Sequence, residues 1–298
     1  MDNLGESIAA IVVTYNPDEV VLNQLLASLS MQVDRVFVVD NGSSNLKKND
    51  SGNISWIPLV SNTGIANAQN VGIKNVVDLG FENLILFDQD SAISEGFVGN
   101  LLNARNKAEL SGLSIAAVGP VHIDVDTKEK SVISLTKDRK LVKLRPVSDS
   151  DDFTQSDFII ASGCLISVSA LNVVGLMDSE LFIDCVDIEW CYRAKSKDLV
   201  CIVALGEMMY HKVGDAPLSI LSRNFTTHNP LRHYYYYRNF YILLRRPYIS
   251  LAWKRYTFFK SSAQAIIFCC FLKPRIQHFK YIIKGIFHGI IGRKGKYE

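Results

Sequence analysis

Short apolar, β-branched runs alternate with segments of helical spacing through the first 120 residues. The runs predict strands, because the strands of a parallel sheet are buried on both faces. They cover residues 8–14, 35–40, 54–60, 83–87 and 115–119. Helices are predicted between them at 17–30, 63–79 and 94–110. This alternation predicts an α/β fold with a mostly parallel sheet and helices on both faces.

The pattern weakens after residue 120 and then returns. Residues 122–153 are polar and weakly patterned, which predicts a hairpin or an excursion from the core. Residues 158–168 are predicted to return to the core. Strands are predicted at 199–203 and 207–211, and short helices at 170–174 and 187–195, with Ser169 capping the first of these and Gly175 ending it. Helical patterns follow at 231–244, 251–272 and 276–290. We therefore divide the chain into one domain, 1–230, with halves 1–120 and 121–230, and a helical region, 231–298.

The formal net charge of +2 is distributed unevenly along the chain. Residues 231–298 hold 7 Lys and 7 Arg against a single acid, Glu298, so this region carries a charge of +13. The remaining 18 basic and 29 acidic residues give residues 1–230 a charge of −11. From charge alone, the basic region could bind nucleic acid, an anionic lipid or an acidic partner.

The apolar stretches of the basic region are too short for a membrane span. The longest, 263–272, falls well below the roughly 20 residues that a span needs, and basic residues flank it on both sides. We therefore expect helices that lie in the interface of an anionic membrane. The alternative is a tail that packs on the domain or on another subunit.

The cysteines and the N-terminus indicate the compartment. The six cysteines form no C-x-x-C pair, which argues against a zinc or redox centre. The first residues lack the basic start and apolar run of a signal peptide. We therefore expect a cytoplasmic protein.

The acidic triplet Asp88-Gln89-Asp90 directly follows the apolar run 83–87. Open α/β sheets bind ligands at the carboxyl ends of their strands. Two carboxylates at i and i+2 can face one site only if the backbone turns, and their repulsion favours a bound cation. The triplet therefore predicts a divalent metal clamped to a diphosphate, with a solvated loop as the alternative.

Polar residues also follow the other predicted strands. Thr14, Tyr15 and Asn16 end the first strand and Asp40 ends the second, a placement that suits a nucleoside. Asp40 is equally compatible with capping a plain Asn-Gly turn. Asn62 and Gly64 open the helix after the third strand, where free N–H groups favour phosphate. Neither G-x-G-x-x-G nor G-K-[ST] occurs, so a Rossmann site or a P-loop is not supported.

A second acidic cluster spans residues 184–189. Asp187 begins a predicted helix and could act as a general base or as an N-cap. Asp184 and Glu189 could instead act through helix-end electrostatics. His211 follows a predicted strand; a lone histidine there is more often structural, but beside two carboxylates it would be a third metal ligand.

Together these segments resemble glycosyltransferase family 2, over about residues 8–215. The triplet and the segment around Asp187 are most similar to those of its bacterial rhamnosyltransferases. The motifs, in family order, are VTYNP (13–17), VDNGS (39–43), SNTGIANAQN (61–70), FDQDS (87–91), FIDCVDIEWCYRA (182–194) and HKVGD (211–215).

The resemblance implies a GT-A fold, with a nucleotide-sugar half at 1–120 and an acceptor half at 121–230. It also implies transfer of a sugar to a hydroxyl with inversion, assisted by Mg²⁺ or Mn²⁺. The implied nucleotide contacts are Thr14, Tyr15, Asn16, Asp40, Asn62, Gly64, Asp88 and Gln89. The implied metal ligands are Asp90, Asp88 and His211.

In members of the family the general base lies in a Glu-Asp pair, and the corresponding residues of this chain are Val186 and Asp187. Asp187 is therefore the implied base, Asp184 is the alternative, and Glu189 replaces a second family Asp. By resemblance the first-ranked donor is dTDP-L-rhamnose, with another nucleotide sugar as the alternative.

The implied acceptor is a glycan or lipid-linked glycan at the inner face of the cell membrane, as in O-antigen synthesis. We expect no nucleic acid among the partners. Whether the chain forms a homo-oligomer is left open. Two other hypotheses are a sugar-nucleotide nucleotidyltransferase and a non-catalytic glycan- or membrane-binding module. A nucleotidyltransferase would carry a phosphate-binding loop after the first strand, and this sequence has none there. The presence of all three acids, Asp88, Asp90 and Asp187, argues against a non-catalytic module.

Overall fold

The computed structural model describes residues 6–46, 50–125, 127–146, 152–211, 215–220 and 223–298, with the backbone alone at 211, 215–220 and 223–226. Within these ranges the strands are β1 (Ile8–Thr14), β2 (Arg35–Asp40), β3 (Ile54–Pro58), β4 (Asn83–Asp88), β5 (Ile115–Asp124), β6 (Ile133–Lys137), β7 (Lys140–Leu144), β8 (Phe153–Ser156), β9 (Cys164–Ser167), β10 (Val200–His211), β11 (Asp215–Ile220) and β12 (Arg223–Thr227).

The α-helices of the same ranges are α1 (Glu19–Ser30), α2 (Ile65–Asp78), α3 (Phe97–Leu110), α4 (Val168–Val174), α5 (Val186–Lys195), α6 (Pro230–Leu244), α7 (Leu251–Phe271) and α8 (Arg275–Ile291). A short 3-10 helix, Ser179–Leu181, precedes α5.

Eight strands form one sheet in the order β3-β2-β1-β4-β9-β5-β10-β8. The block from β3 to β4 is parallel throughout. β9 then runs antiparallel between β4 and β5, β10 is parallel to β5, and β8 is an antiparallel edge strand. The α/β fold with a mostly parallel sheet is therefore confirmed.

Alternate residues of β1 belong to different cores, as strand geometry requires. Ala9, Ile11 and Val13 lie in the core shared with α2, α4, α5 and α6, whereas Ala10 and Val12 lie in the core shared with α1 and α3. Helices therefore cover both faces, as predicted.

Several boundaries differ from the pattern-based prediction. The two strands predicted at 199–203 and 207–211 are one strand, β10, interrupted by an irregularity between Ala204 and Met208. Residues 158–168 return to the core as predicted, and β9 forms in their second half. Ser169 was the predicted cap of α4, but Ser167 performs this role, because its Oγ accepts from the Ala170 N–H at 3.1 Å. Gly175 ends that helix as predicted.

The polar segment after residue 120 contains the predicted hairpin. β6 and β7 pair antiparallel across it, while β5 continues three residues past the buried Val121, to Asp124. Residues 126 and 147–151 lie outside the described residues.

The three helices predicted after Pro230 are confirmed, and α6 takes part in the main core. Phe240 and Leu243 on α6 and Trp253 on α7 are buried in the same core as β1 and α2. The division at 230/231 into separate functional regions stays a prediction. Among the described helices, none combines the length and the apolar character that crossing a bilayer requires.

Candidate active site

The parallel register brings three of the predicted strand ends side by side. β1 lies between β2 and β4, with Thr14 opposite Asp40 and Val13 opposite Asp88. Thr14 and Asp40 are fully buried, and their side-chain oxygens lie 3.4 Å apart. The carboxyl ends of the parallel block therefore form one polar edge, where open α/β sheets bind ligands.

The loops beyond these strand ends are tied to one another. The Tyr15 N–H donates to Gln89 Oε1 at 2.7 Å, which links the end of β1 to the acidic triplet. The Asn16 N–H donates to Ser43 Oγ at 2.8 Å, and the Ser43 N–H donates to Asp40 Oδ1 at 3.1 Å. The Tyr15 side chain is about half exposed, so its ring is accessible to a ligand.

A buried serine holds the turn of the acidic triplet. Asp88 is the last residue of β4, and the chain turns at residues 89–90, as two carboxylates that share one site require. The Asp88 N–H donates to Ser162 Oγ at 3.1 Å, and Ser162 Oγ lies 2.6 Å from Ser91 Oγ. Asp88 is half-buried and Asp90 is exposed.

Gly64 makes a close approach that no other residue could make without strain. Its φ is +90°, and a Cβ at this position would lie 2.6 Å from the Phe182 carbonyl oxygen. That oxygen also accepts the Ala66 N–H at 3.5 Å. Asn62 Oδ1 accepts the Gly64 N–H at 3.0 Å. The start of α2 therefore contacts the loop that leads into α5.

That loop, residues 182–185, holds an unusual backbone. Phe182, Asp184 and Cys185 have φ values of 65°, 64° and 63°. A positive φ is uncommon outside glycine, and such strain persists only where surrounding contacts enforce it.

Two buried residues of α6 enforce it. The Asn239 amide donates to the carbonyl oxygens of Leu181, Ile183 and Asp184 at 2.8, 2.7 and 2.9 Å. Because an amide carries two hydrogens, at least one of these bonds is shared. Arg238 Nη2 donates to the Leu181 carbonyl at 2.7 Å, and both side chains are fully buried.

Asp187, the predicted base, is the second residue of α5 and is half-buried. Its Oδ1 accepts the Ile188 N–H at 2.8 Å. Burial raises the pKa of Asp187 to about 6, and the charges of Asp184 and Asp88 act in the same direction. The charge of Asp88 contributes to this shift, and the close contact of Gly64 with Phe182 joins the start of α2 to the loop before α5. A carboxyl with a pKa near neutrality suits a general base.

Asp184, the alternative base, has a cationic partner. Its Oδ1 lies 3.2 Å from Arg232 Nη2, on α6. Burial raises the pKa of Asp184, while Arg232 opposes that effect. A carboxylate held by a guanidinium is a weaker proton acceptor, so the geometry favours Asp187.

Two sequence comparisons identify the family of this chain, and one of them covers 98% of it. The sequence model described as Glycosyl transferase family 2 matches residues 9–175. The dTDP-rhamnosyl transferase RfbF of Shigella flexneri is 32% identical over 295 residues, which is 98% of each chain. The chain belongs to glycosyltransferase family 2.

Two solved structures share the fold of this glycosyltransferase. S. aureus TarS 1–349 in complex with UDP-GlcNAc gives a TM-score of 0.56 at 16% identity, covering 94% of this chain and 81% of that one. GalNAc-T7 with UDP, GalNAc and Mn²⁺ gives 0.53 at 13% identity, covering 72% of this chain and 44% of that one. At these identities the likeness concerns the fold alone, and it confirms the predicted GT-A fold.

Glu189 of the glycosyltransferase is an anchor on the buried side of α5. It is fully buried and pairs with Arg193 and Arg246, both at 2.9 Å. The Tyr248 hydroxyl donates to the same carboxylate at 2.5 Å. Glu189 therefore fixes α5 to the segment after α6. Its carboxylate is paired on the buried side of the helix, so it does not act through the charge at the helix start.

The predicted metal ligands are only partly described. The backbone of His211 ends β10 opposite Asp124, but its side chain lies outside the described residues, as do residues 212–214. In the described part of the chain, no group of three or more His, Cys, Asp or Glu residues is placed to hold a metal. Asp88 and Asp90 offer hard oxygen ligands, and Mg²⁺ is commonly held by one or two carboxylates together with substrate phosphates. The pair therefore fits such an ion.

Sequence reasoning missed the residues that position this site. Ser162 lies in a short Ser-Gly segment with no recognisable motif. Arg238 and Asn239 interrupt a run of aromatic residues at 234–241, and buried polar residues in an apolar run normally have fixed hydrogen-bond partners. That interruption was the available signal, but it does not identify the partner loop.

Proposed function

We propose that this glycosyltransferase transfers L-rhamnose from dTDP-L-rhamnose to a hydroxyl of a lipid-linked glycan, inverting the anomeric centre. The donor assignment rests on the near full-length relative named a dTDP-rhamnosyl transferase. The reaction type rests chiefly on one observation, the half-buried Asp187 carboxylate at the start of α5, directly after the loop that contacts Gly64 at the start of α2.

In the proposed reaction the strand ends bind the donor. Thr14, Tyr15, Asn16 and Asp40 hold the nucleoside, and Asn62 and Gly64 lie by its ribose or diphosphate, with Asp88 and Gln89 beside them. The fully buried Thr14–Asp40 pair is packed and hydrogen-bonded, so it holds the exposed Tyr15 and Asn16 that follow β1 in place. A rigid contact orients the donor without losing further entropy on binding.

Asp187 accepts the proton of the acceptor hydroxyl as that oxygen attacks the anomeric carbon. The C–O bond to the diphosphate breaks as the new glycosidic bond forms, so no covalent enzyme intermediate is needed. The loop held by Asn239 sets the position of this carboxylate, since α5 begins directly after it. A misplacement of about 1 Å can cost roughly 100-fold in rate, so this support matters for turnover.

Asp90 and Asp88, with His211, are the proposed ligands of Mg²⁺ or Mn²⁺. When bound, such an ion neutralises the charge on the departing diphosphate. The turn fixed by Ser162 keeps Asp88 and Asp90 at the end of β4 before any ion binds.

The proposed cellular setting is the cytoplasmic, inner face of the cell membrane, in the synthesis of a surface polysaccharide. The support is the +13 charge of residues 231–298, which suits an anionic lipid surface. A lipid-linked acceptor would be presented there.

A donor panel tests the proposed activity. The full chain is incubated with Mg²⁺ and dTDP-L-rhamnose, dTDP-glucose or UDP-GlcNAc, and release of nucleoside diphosphate is measured with and without a glycan acceptor. Acceptor-dependent release from dTDP-L-rhamnose alone is expected. Equal release from dTDP-glucose would reject the sugar assignment, and release only from UDP-GlcNAc would reject the donor altogether.

Asp90→Ala should lower metal-dependent turnover by about two orders of magnitude, because the ion supplies several kcal/mol of transition-state stabilisation. Turnover is measured across a Mn²⁺ titration, and EDTA should abolish it in the unchanged enzyme. Asp78→Asn, an exposed acid at the end of α2, is the matched control and should behave like the unchanged enzyme. Full turnover in EDTA would remove the metal from the mechanism.

A further inference from the structure

Helix α8 packs against α6 through glycines. Gly285 and Gly289 form a G-x-x-x-G pair, and a Cβ at these positions would lie 2.5 Å from the Tyr234 carbonyl oxygen and 2.6 Å from that of Arg238. His288, on the same buried face, lies with Nδ1 2.7 Å from the Tyr234 hydroxyl. The small side of α8 therefore faces the protein.

Five large apolar side chains of α8 face solvent, while Ile282 is buried with the small side of the helix. At intervals of three and four residues they share one face of the helix, which we call the outward stripe. Their exposed fractions lie between 48% and 83%. A helix on a water-soluble surface normally buries such a stripe, so its exposure indicates a binding surface. The outward stripe consists of Ile276, Phe279, Ile283, Phe287 and Ile290.

Charge and neighbouring apolar residues indicate the partner. Helix α7 contacts α8 and exposes Phe259 and Ile266. Lys273, Arg275 and Lys280 are exposed around the start of α8. A partner must therefore offer an apolar layer together with negative charge, which is the combination found at the interface of an anionic bilayer.

A second copy of this chain fits less well. Two copies that met through the outward stripe would each bring a region of charge +13 containing a single acid. Like charges juxtaposed across an interface oppose association.

We propose that the outward stripe of α8 inserts into the headgroup–acyl boundary of an anionic membrane, with the helix lying flat. This deepens the membrane setting of the proposed function and rests on it. A helix of 17 residues is shorter than the roughly 20 residues of a span, and its other side packs on α6, so it would lie along the surface.

The same packing relates the membrane surface to the candidate site. Arg238 contacts α8 through its backbone at Gly289, and its side chain reaches the Leu181 carbonyl at the loop before α5. Helix α6 therefore links α8 to that loop. Insertion of α8 would fix the orientation of the candidate base relative to the lipid surface.

Vesicle binding by substituted full-length protein tests the inference. Substitution is preferable to removing helices, because α6 belongs to the core. The double variant Phe279→Gln/Phe287→Gln should bind vesicles of phosphatidylglycerol and phosphatidylethanolamine at least about tenfold more weakly than the unchanged protein. The reason is that two half-exposed aromatic rings lose their apolar contact with the lipid. Met31→Gln/Leu110→Gln, at still more exposed sites on other elements, should bind like the unchanged protein.

Fluorescence distinguishes insertion from adsorption by charge. Of the three tryptophans, Trp190 and Trp253 are buried and Trp56, on β3, is half-buried, so Phe287→Trp adds a more exposed reporter on the stripe. Brominated lipid should quench this tryptophan in vesicles, well beyond any quenching of the unchanged protein. Equal vesicle binding by the double variant, or no added quenching of the reporter, would overturn insertion.

Two further measurements separate the remaining outcomes. If sedimentation velocity without lipid shows a dimer that the double variant loses, a second copy covers the stripe and the inference is wrong. Release of nucleoside diphosphate with a water-soluble acceptor should be unchanged in the double variant. Lost vesicle binding with normal turnover supports the stripe, whereas vesicle binding without turnover in the unchanged protein would reject the proposed catalysis alone.

Discussion

Replacing Asp187 with asparagine should abolish sugar transfer while donor binding persists. The asparagine keeps the shape of the side chain and can still accept the Ile188 N–H, but it cannot take a proton. General-base catalysis contributes roughly 100- to 10,000-fold, so turnover should fall by that factor. The measurements are acceptor-dependent release of nucleoside diphosphate and a donor titration by calorimetry.

Asp184→Asn is the matched control for this prediction, since it changes the same chemistry three residues earlier. Its carboxylate pairs with Arg232, so the expected loss is mainly in stability. Near wild-type turnover of Asp187→Asn, together with loss in Asp184→Asn, would transfer the role of base to Asp184.

The raised pKa of Asp187 also predicts how turnover depends on pH. The base acts in its ionised form, so kcat/KM should fall about tenfold per pH unit as the pH drops below about 6. An ordinary aspartate would give a limb near pH 3.9 instead. A flat profile down to pH 5 would contradict the assignment.

Stability should change in the opposite sense to activity. Between pH 3.9 and about 6 the folded protein binds more protons at Asp187 than the unfolded chain does, so the free energy of unfolding falls as the pH rises through this window. Above about pH 6, the ionised form of Asp187 therefore lowers the free energy of unfolding by up to about 3 kcal/mol. Asp187→Asn should therefore unfold at higher temperature than the unchanged enzyme at pH 7.5, and at the same temperature at pH 3.5.

Asn239→Leu should impair both folding and turnover, although residue 239 lies on a different helix from the candidate base. Leucine fills the same space but donates no hydrogen bond, so the carbonyls of Leu181, Ile183 and Asp184 lose their common donor. The Leu181 carbonyl keeps its bond from Arg238, whereas the carbonyls of Ile183 and Asp184 lose the donor described for them. Each buried carbonyl left unpaired costs about 1–3 kcal/mol, so the free energy of unfolding should drop by about 2–6 kcal/mol. Thermal unfolding measures this change.

A role in positioning requires a readout beyond stability. If the loop relaxes, Asp187 should become better solvated, and the acid limb of the pH–rate profile should move below pH 6. The KM for the donor should change less than kcat. Asn75→Leu, which removes one hydrogen bond on α2, is the control and should shift neither the limb nor kcat. An unshifted limb in Asn239→Leu would leave Asn239 as a purely structural residue.

The donor side of the site was predictable because it depends on local patterns. Apolar runs predicted β1, β2 and β4, and parallel pairing then places Thr14, Asp40 and Asp88 at one edge. The turn at the triplet followed from the spacing of two carboxylates. Ser162 was not predictable, because its partner Asp88 lies 74 residues away and no periodicity connects them.

The acceptor side depends on long-range contacts that no local pattern reveals. Positive φ values at Phe182, Asp184 and Cys185 occur without a glycine to mark them. From the sequence, residues 231–298 resembled a surface tail, because a count of charges does not show which of them are paired with acids elsewhere in the fold. In the structure Arg232 and Arg246 pair with buried or half-buried acids of the body, and α6 lies in the core.

The bonds from Asn239 impose an order on the making of the enzyme. The last carbonyl that Asn239 holds belongs to Asp184, 55 residues earlier in the chain. At about 5–20 residues per second, a ribosome adds that stretch in roughly 3 to 11 s. During this interval the nascent chain already carries β1, β2 and β4 but not α6, which completes the core on one face of the sheet. The candidate base should therefore reach its final position only after α6 has packed against the sheet.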